Sequence, residues 1–112
     1  MARILLVDDD VEGLELRRTI LEHHGHVIET ASTPADARIR FEIFSPECVI
    51  ADLHLPEAAA GRALLADFRK AAPLLRIIIL SGRPADAELQ GDVVLLKPIR
   101  SEQLIAAITP AS

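Results

Sequence analysis

Acidic, hydroxyl and lysine side chains each follow a short apolar run of the chain. They are Asp8, Asp9 and Asp10 after residues 4–7, Asp52 after 49–51, Ser81 after 77–80, and Lys97 after 93–96. A carboxylate is a poor nucleophile towards phosphorus because its charge repels the phosphoryl oxygens, so a cation and a lysine must neutralise both reactants. Several carboxylates together with one lysine therefore indicate phosphoryl chemistry.

The apolar runs alternate with segments of helical spacing, which is typical of an α/β fold with a doubly wound, five-stranded parallel sheet. Predicted strands cover residues 3–7, 26–30, 47–51, 75–80 and 92–96. These strands are mostly continuous apolar runs, as expected when both faces of the sheet are covered. Because the carboxyl ends of parallel strands meet at one edge, where ligands bind, we expect the polar residues to share one site.

Capping and turn residues mark the ends of the predicted helices. Asp10 is the predicted N-cap of the first helix, and Gly25 supplies its left-handed stop. Thr33 caps the second helix, which has Pro34 at its first position. A third helix is predicted over residues 61–72 and is ended by a proline.

Length and composition restrict the class of protein. At 112 residues the chain is long enough for one domain with one core, predicted to span residues 1–112. The net charge is −5, basic side chains are scattered, and Trp and Tyr are absent, which argues against binding of nucleic acid. A single cysteine excludes an internal disulfide, and no leader or long apolar run is visible. We therefore expect a soluble, cytoplasmic protein without membrane contact.

Each residue type at the predicted site has a chemical task. Asp8, Asp9 and Asp52 offer the oxygen ligands that a divalent cation such as Mg²⁺ prefers. The ammonium of Lys97, one of two lysines in the chain, would pair with Asp52 before transfer and with a phosphoryl oxygen afterwards. The Ser81 hydroxyl would donate to a second phosphoryl oxygen.

Four stretches resemble the receiver domain of two-component response regulators: ILLVDDD at 4–10, VIADLHLP at 49–56, IILSG at 78–82 and LKP at 96–98. The resemblance spans nearly the whole chain. It implies the flavodoxin-like strand order 2-1-3-4-5, which would place Asp8, Asp9 and Asp52 side by side. It also implies a cis peptide bond between Lys97 and Pro98.

The resemblance further implies a role for each residue of the site. Asp52 would accept a phosphoryl group from the phosphohistidine of a histidine kinase or phosphotransfer protein. Ser81 and Lys97 would bind the phosphoryl oxygens. The implied ligands of Mg²⁺ or Mn²⁺ are Asp8, Asp9, Asp52 and the backbone carbonyl of His54. Such a protein is a phosphoacceptor rather than an enzyme, catalysing at most its own phosphorylation and dephosphorylation, and its output partner is unknown.

Three departures from the family pattern concern the output. Gly61 lies one residue further from Asp52 than is usual, which predicts a longer loop after the acceptor. Only fifteen residues separate Ser81 from Lys97, so the helix between the fourth and fifth strands, the fourth in the chain, is predicted to be short or absent. Val94 replaces an aromatic residue common in receivers. We therefore expect a non-standard readout.

Two alternatives remain open at this stage. A haloacid-dehalogenase-like phosphatase would use Asp8 as nucleophile and Asp10 as acid, with Ser81 and Lys97 assisting, but it leaves Asp52 unexplained. A receiver-like adaptor would bind its partner without phosphorylation, an idea that the shortened helix favours. Substitution of Asp52 separates both alternatives from a phosphoacceptor.

Overall fold

β-strands and α-helices alternate along the chain in the computed structural model, which describes residues 2–52, 58–81 and 93–108, and of residues 58–60 and 81 the backbone alone. The strands are β1 (Arg3–Val7), β2 (Val27–Ala31), β3 (Cys48–Asp52), β4 (Arg76–Ser81) and β5 (Val93–Leu96). The helices are α1 (Val11–His23), α2 (Pro34–Phe44), α3 (Ala58–Ala71) and α4 (Ser101–Ile108).

All five strands are parallel and form one sheet in the order β2-β1-β3-β4-β5. This is the predicted order, in which the direction of winding changes between β1 and β3. Val7 pairs with Ala51 in β3, and Asp52 pairs with Leu80 in β4. The carboxyl ends of β1 and β3 therefore lie side by side, at the position where open α/β sheets bind their ligands.

Helices cover both faces of the sheet, and alternate residues of each strand point to opposite faces. On the face of α1 and α4 the buried cluster includes Ile4, Leu6, Leu14, Leu21, Ile50, Ile78, Leu80, Leu104 and Ile108. On the face of α2 and α3 it includes Leu5, Val7, Ala37, Val49, Leu64, Leu65, Phe68, Ile77 and Ile79. Burial on both sides explains why the strands contain continuous apolar runs.

The helix ends follow the predicted capping residues. Gly25 has φ +88° just beyond α1, a conformation that costs glycine little. The Thr33 hydroxyl accepts a hydrogen bond of 3.1 Å from the Asp36 N–H, and Pro34 begins α2. Asp10 occupies the N-cap position of α1, but its side chain accepts no capping hydrogen bond.

The predicted start of the third helix was wrong. Helix α3 begins at Ala58 and not at Gly61, so Ala58, Ala59 and Ala60 are helical. Alanine has the highest helix propensity, and three in succession extend the helix towards β3. The predicted longer loop ran from Asp52 to Gly61, and its residues 58–60 are helical instead. Its residues 53–57, and the short or absent helix predicted between Ser81 and β5, lie outside the described residues.

Val94 bears on the predicted output. Val94 is half-buried in β5 and packs against the cluster on the α2 and α3 face.

Within the described parts of the chain, no helix is long and apolar enough to cross a membrane.

Candidate functional site

Asp8 and Asp52 lie together at the carboxyl ends of β1 and β3. Asp8 directly follows β1 and Asp52 is the last residue of β3, and their neighbours Val7 and Ala51 are paired across the sheet. Only 2% of Asp8 and 3% of Asp52 is exposed, and they are the buried charged residues of the described chain. Two carboxylates in so dry a position require cations beside them.

Lys97 supplies the first of these cations. Its Nζ lies 2.8 Å from Asp52 Oδ1 and 2.6 Å from Asp52 Oδ2. The residue follows directly after β5, and the predicted cis peptide bond between Lys97 and Pro98 is present. Sequence reasoning thus brought together an acidic residue and a lysine that are 45 positions apart in the chain.

Arg17 supplies the second cation, and sequence reasoning missed it. Its Nη1 donates to Asp8 Oδ2 at 2.6 Å, and its Nη2 lies 3.6 Å from Asp52 Oδ2. In α1, Arg17 follows Leu14 by three residues and precedes Leu21 by four, and both leucines are buried. An arginine within an inward-facing apolar stripe was the available signal, because helical spacing places all three residues on one face.

Several polar groups fix the charge state of Asp8. Burial raises the pKa of the Asp8 carboxyl, but the hydrogen bond from the Asp10 backbone N–H and the Arg17 guanidinium outweigh it, so the pKa lies below its usual value. The Asp10 N–H donates to Asp8 Oδ1 at 3.0 Å. At neutral pH the carboxylate is ionised and held in one orientation.

The remaining predicted residues are placed to different degrees. Asp9 is exposed beside Asp8. Ser81 is the last residue of β4 and pairs with Leu96, so its backbone lies at the same edge of the sheet as Asp52 and Lys97. His54 lies outside the described residues.

A groove of about 600 Å³ opens beside the carboxylates. It runs between α1, which contributes Leu16 and Ile20, and α4, which contributes Leu104, and Asp8, Asp52 and Lys97 also line it. The groove therefore leads from solvent towards the buried carboxylates.

The donor atoms at this edge of the sheet suit a divalent cation only in part. Buried carboxylate oxygens of Asp8 and Asp52 are the hard ligands that Mg²⁺ and Mn²⁺ take. Within residues 2–52, 58–81 and 93–108, however, no three His, Cys, Asp or Glu side chains are grouped so that they could hold a metal ion. Asp8 and Asp52, two of the predicted ligands, lie next to each other, and the Arg17 guanidinium contacts both of them.

Comparison with protein families gives one match that covers most of the chain. The model of the response regulator receiver domain matches residues 4–109. That range includes all the predicted site residues.

Two curated relatives are about one-third identical to this chain over the residues that align with it. It is 34% identical to the transcriptional regulatory protein CpxR homolog of Haemophilus influenzae over 96% of the chain and 49% of that protein. It is 36% identical to the alginate biosynthesis transcriptional regulatory protein AlgB of Pseudomonas aeruginosa over 91% of the chain and 24% of that protein. The chain therefore spans about half of the first relative and a quarter of the second.

Solved structures share the fold. A response regulator receiver domain protein from Clostridium thermocellum superposes with a TM-score of 0.83 and 31% identity, covering 96% of this chain and 91% of that one. The response regulator protein TrrA from Thermotoga maritima, in complex with Mg²⁺-BeF, gives a TM-score of 0.85 and 27% identity, covering 96% of each chain.

Proposed function

The chain belongs to the response regulator receiver domain family of two-component signal transduction, and on this basis we propose that Asp52 is its phosphoacceptor. The observation that carries the proposal is the pairing of the buried Asp52 carboxylate with Lys97 Nζ, at 2.6 and 2.8 Å, at the edge of a groove. A carboxylate that is oriented by a lysine and lines a groove is a suitable nucleophile for phosphorus.

The proposed reaction is a transfer from phosphohistidine to carboxylate. An Asp52 oxygen attacks the phosphorus atom, the P–N bond of the donor breaks, and the donor imidazole leaves with the electron pair of that bond. Lys97 contacts both oxygens of Asp52 before the reaction and would follow the charge onto a phosphoryl oxygen. The Ser81 hydroxyl would donate to another phosphoryl oxygen.

Asp8, Asp9, Asp52 and the His54 carbonyl are the proposed ligands of Mg²⁺ or Mn²⁺. The metal would neutralise charge on the phosphoryl group and orient it for in-line attack. The similar protein TrrA forms a complex with Mg²⁺-BeF, which supports a divalent cation as the proposed cofactor. Asp8 contributes a buried, ionised carboxylate whose orientation is fixed by the Asp10 N–H.

The proposal includes a class of partner and a location. Residues 1–112 act as a single receiver domain in the cytoplasm, where a histidine kinase or phosphotransfer protein is the donor. The chain is a phosphoacceptor that catalyses at most its own phosphorylation and dephosphorylation, and not an enzyme acting on other molecules. Its net charge of −5 favours a protein partner for this domain over nucleic acid.

The output is proposed to be a switch in binding to an unidentified partner. Val94 stands in β5 where many receivers have an aromatic ring, and it packs into the core on the α2 and α3 face. Valine has no ring whose movement could report the phosphorylation of Asp52. The readout therefore has to use other residues, which makes this receiver non-standard.

The test is the intact mass of the protein after incubation with acetyl phosphate and Mg²⁺. Asp52→Asn is the test variant, and Asp67→Asn, which removes an exposed carboxylate of α3, is the matched control. We expect one phosphoryl adduct, labile to hydroxylamine, in the wild type and in the control, and none in Asp52→Asn.

Other outcomes identify the alternatives. Absence of an adduct in all three proteins, with unchanged partner binding in Asp52→Asn, would support the phosphorylation-independent adaptor. Phosphate release from a generic ester that persists in Asp52→Asn and needs Asp8 would indicate a phosphatase. The match of the receiver-domain model to residues 4–109 argues against that alternative.

A further inference from the structure

The Arg17 guanidinium contacts the two carboxylate oxygens that face the centre of the site. Nη1 lies 2.6 Å from Asp8 Oδ2, and Nη2 lies 3.6 Å from Asp52 Oδ2. Only 24% of the Arg17 side chain is exposed, so the contact is made largely out of water. A cation shared by Asp8 and Asp52 would compete with the guanidinium for these carboxylates.

The local sequence of α1 directs Arg17 into this position. Helical side chains point towards the N-terminus of their helix, so Arg17 extends over the turn that contains Gly13. A Cβ at position 13 would lie at an ordinary contact distance of 3.5 Å from Arg17 Nη1 and at a tight 3.1 Å from Asp10 Oδ2, so glycine gives room mainly to the Asp10 side chain. The adjacent Arg18 points elsewhere and pairs with Glu15 and Glu22.

The guanidinium balances the charge of the site without a metal. Asp8 and Asp52 carry two negative charges, and Arg17 and Lys97 carry two positive charges within contact distance. A divalent cation added to this group would bring the net charge to +2, and it would lie within a few ångströms of the guanidinium. Repulsion at that distance in a partly buried site is strong. Metal and guanidinium therefore exclude each other.

We propose that Arg17 is a built-in competitor of the divalent cation, which must displace the guanidinium from Asp8 and Asp52 before it can bind. This inference rests on the metal site of the proposed function and adds a determinant of its affinity. The groove of about 600 Å³ beside α1 gives the displaced side chain space, and the exposed Asp10 carboxylate next to Gly13 offers it a new partner. The receiver would then bind Mg²⁺ weakly and respond to its concentration.

The test is titration of the protein with MgCl₂ in an isothermal calorimeter. Arg17→Met removes the competitor and keeps the aliphatic stem, and Arg18→Met removes the same charge from the neighbouring position of the same helix. We expect Mg²⁺ to bind Arg17→Met about tenfold or more tightly than the wild type. Arg18→Met should stay within about twofold, because exposed charges at a distance are screened.

Two further measurements test the inference if Arg17→Met fails to fold. Arg17→Gln removes the charge and keeps a polar side chain, and it should also bind Mg²⁺ more tightly than the wild type. In the wild type, the ¹⁵N signals of the Arg17 side chain should shift as Mg²⁺ saturates the protein, while those of Arg18 should not.

The outcomes separate this inference from the proposed function. Equal Mg²⁺ affinity of the wild type and both Arg17 variants, with unchanged Arg17 signals, would overturn the inference and leave the phosphoacceptor intact. Failure of every protein to bind Mg²⁺ would overturn the metal site and the inference together. In the mass experiment above, a phosphoryl adduct that persists in Asp52→Asn would refute the proposed function, whatever the affinity for Mg²⁺.

Discussion

Replacement of Lys97 by methionine tests the energetics of the site directly. The substitution removes the ammonium that lies 2.6 and 2.8 Å from the two oxygens of Asp52 and keeps most of the aliphatic stem. It leaves the buried carboxylates of Asp8 and Asp52 with Arg17 alone. The free energy of unfolding should therefore fall.

The size of the effect follows from the exposure of the partners. Breaking a buried ion pair by removing one partner costs about 3–5 kcal/mol, and exposed pairs are worth about 0.2–1 kcal/mol. Asp52 is buried, but 23% of the Lys97 side chain is exposed, and Arg17 at 3.6 Å retains part of the charge balance. We therefore expect Lys97→Met to cost about 1–3 kcal/mol.

A double-mutant cycle isolates the interaction with Asp52. In an Asp52→Asn background the carboxylate that Lys97 neutralises is gone, so Lys97→Met should cost less than about 0.5 kcal/mol. The coupling energy is the difference between the two costs. Urea unfolding without Mg²⁺ measures it by far-ultraviolet circular dichroism, because the chain has no Trp or Tyr to serve as a fluorescent probe.

Lys70→Met is the matched control, since Lys70 is the other lysine of the chain and is exposed in the last turn of α3. It should change the free energy of unfolding by no more than about 0.5 kcal/mol. Equal effects of Lys97→Met in both backgrounds would refute the argument that the ammonium acts through Asp52.

Two predictions concern residues away from the acceptor. Burial lowers the pKa of His26 below 6.5, and its Nδ1 accepts a hydrogen bond of 3.1 Å from the Ala2 N–H. Stability should therefore be lost as the pH falls from above 6.5 through the lowered folded pKa, and His26→Gln should flatten this dependence between about pH 7.5 and pH 5 in urea unfolding. Gly13→Ala should raise the free energy of unfolding by about 0.5–1 kcal/mol, because alanine favours helix and the exposed Asp10 side chain can turn away from the new Cβ. A lower stability would mean that Asp10 cannot move.

The fold was predictable because its determinants are local. Continuous apolar runs identified the five strands to within about one residue, and Gly25 and Thr33 identified helix ends. The strand order came from the resemblance to receivers, since periodicity alone does not order a parallel sheet. The predicted helix begins at Gly61 and misses the first three residues of α3, although alanine at 58–60 carries no signal against helix.

The candidate site was predictable where each residue ends a strand. Asp8, Asp52 and Lys97 follow or end parallel strands, so the topology alone brings them to one edge of the sheet. Arg17 was not found by this reasoning because it belongs to a helix, and its role depends on the direction of a long side chain. The sequence marks it only as a charge between two buried leucines, which identifies an inward position and not its partner.

The two buried clusters lie on opposite faces of the sheet and differ in their relation to the groove at Asp52. Helices α1 and α4 contribute both to one cluster and to the groove at Asp52, whereas α2 and α3 pack against the opposite face of the sheet. Helix side chains on opposite faces that are far apart and share no partner should therefore show additive effects on stability when they are substituted. Substitutions in α2 and α3 would therefore act mainly on the stability of the fold, whereas substitutions of the groove-lining residues of α1 and α4 would also change the surroundings of Asp52.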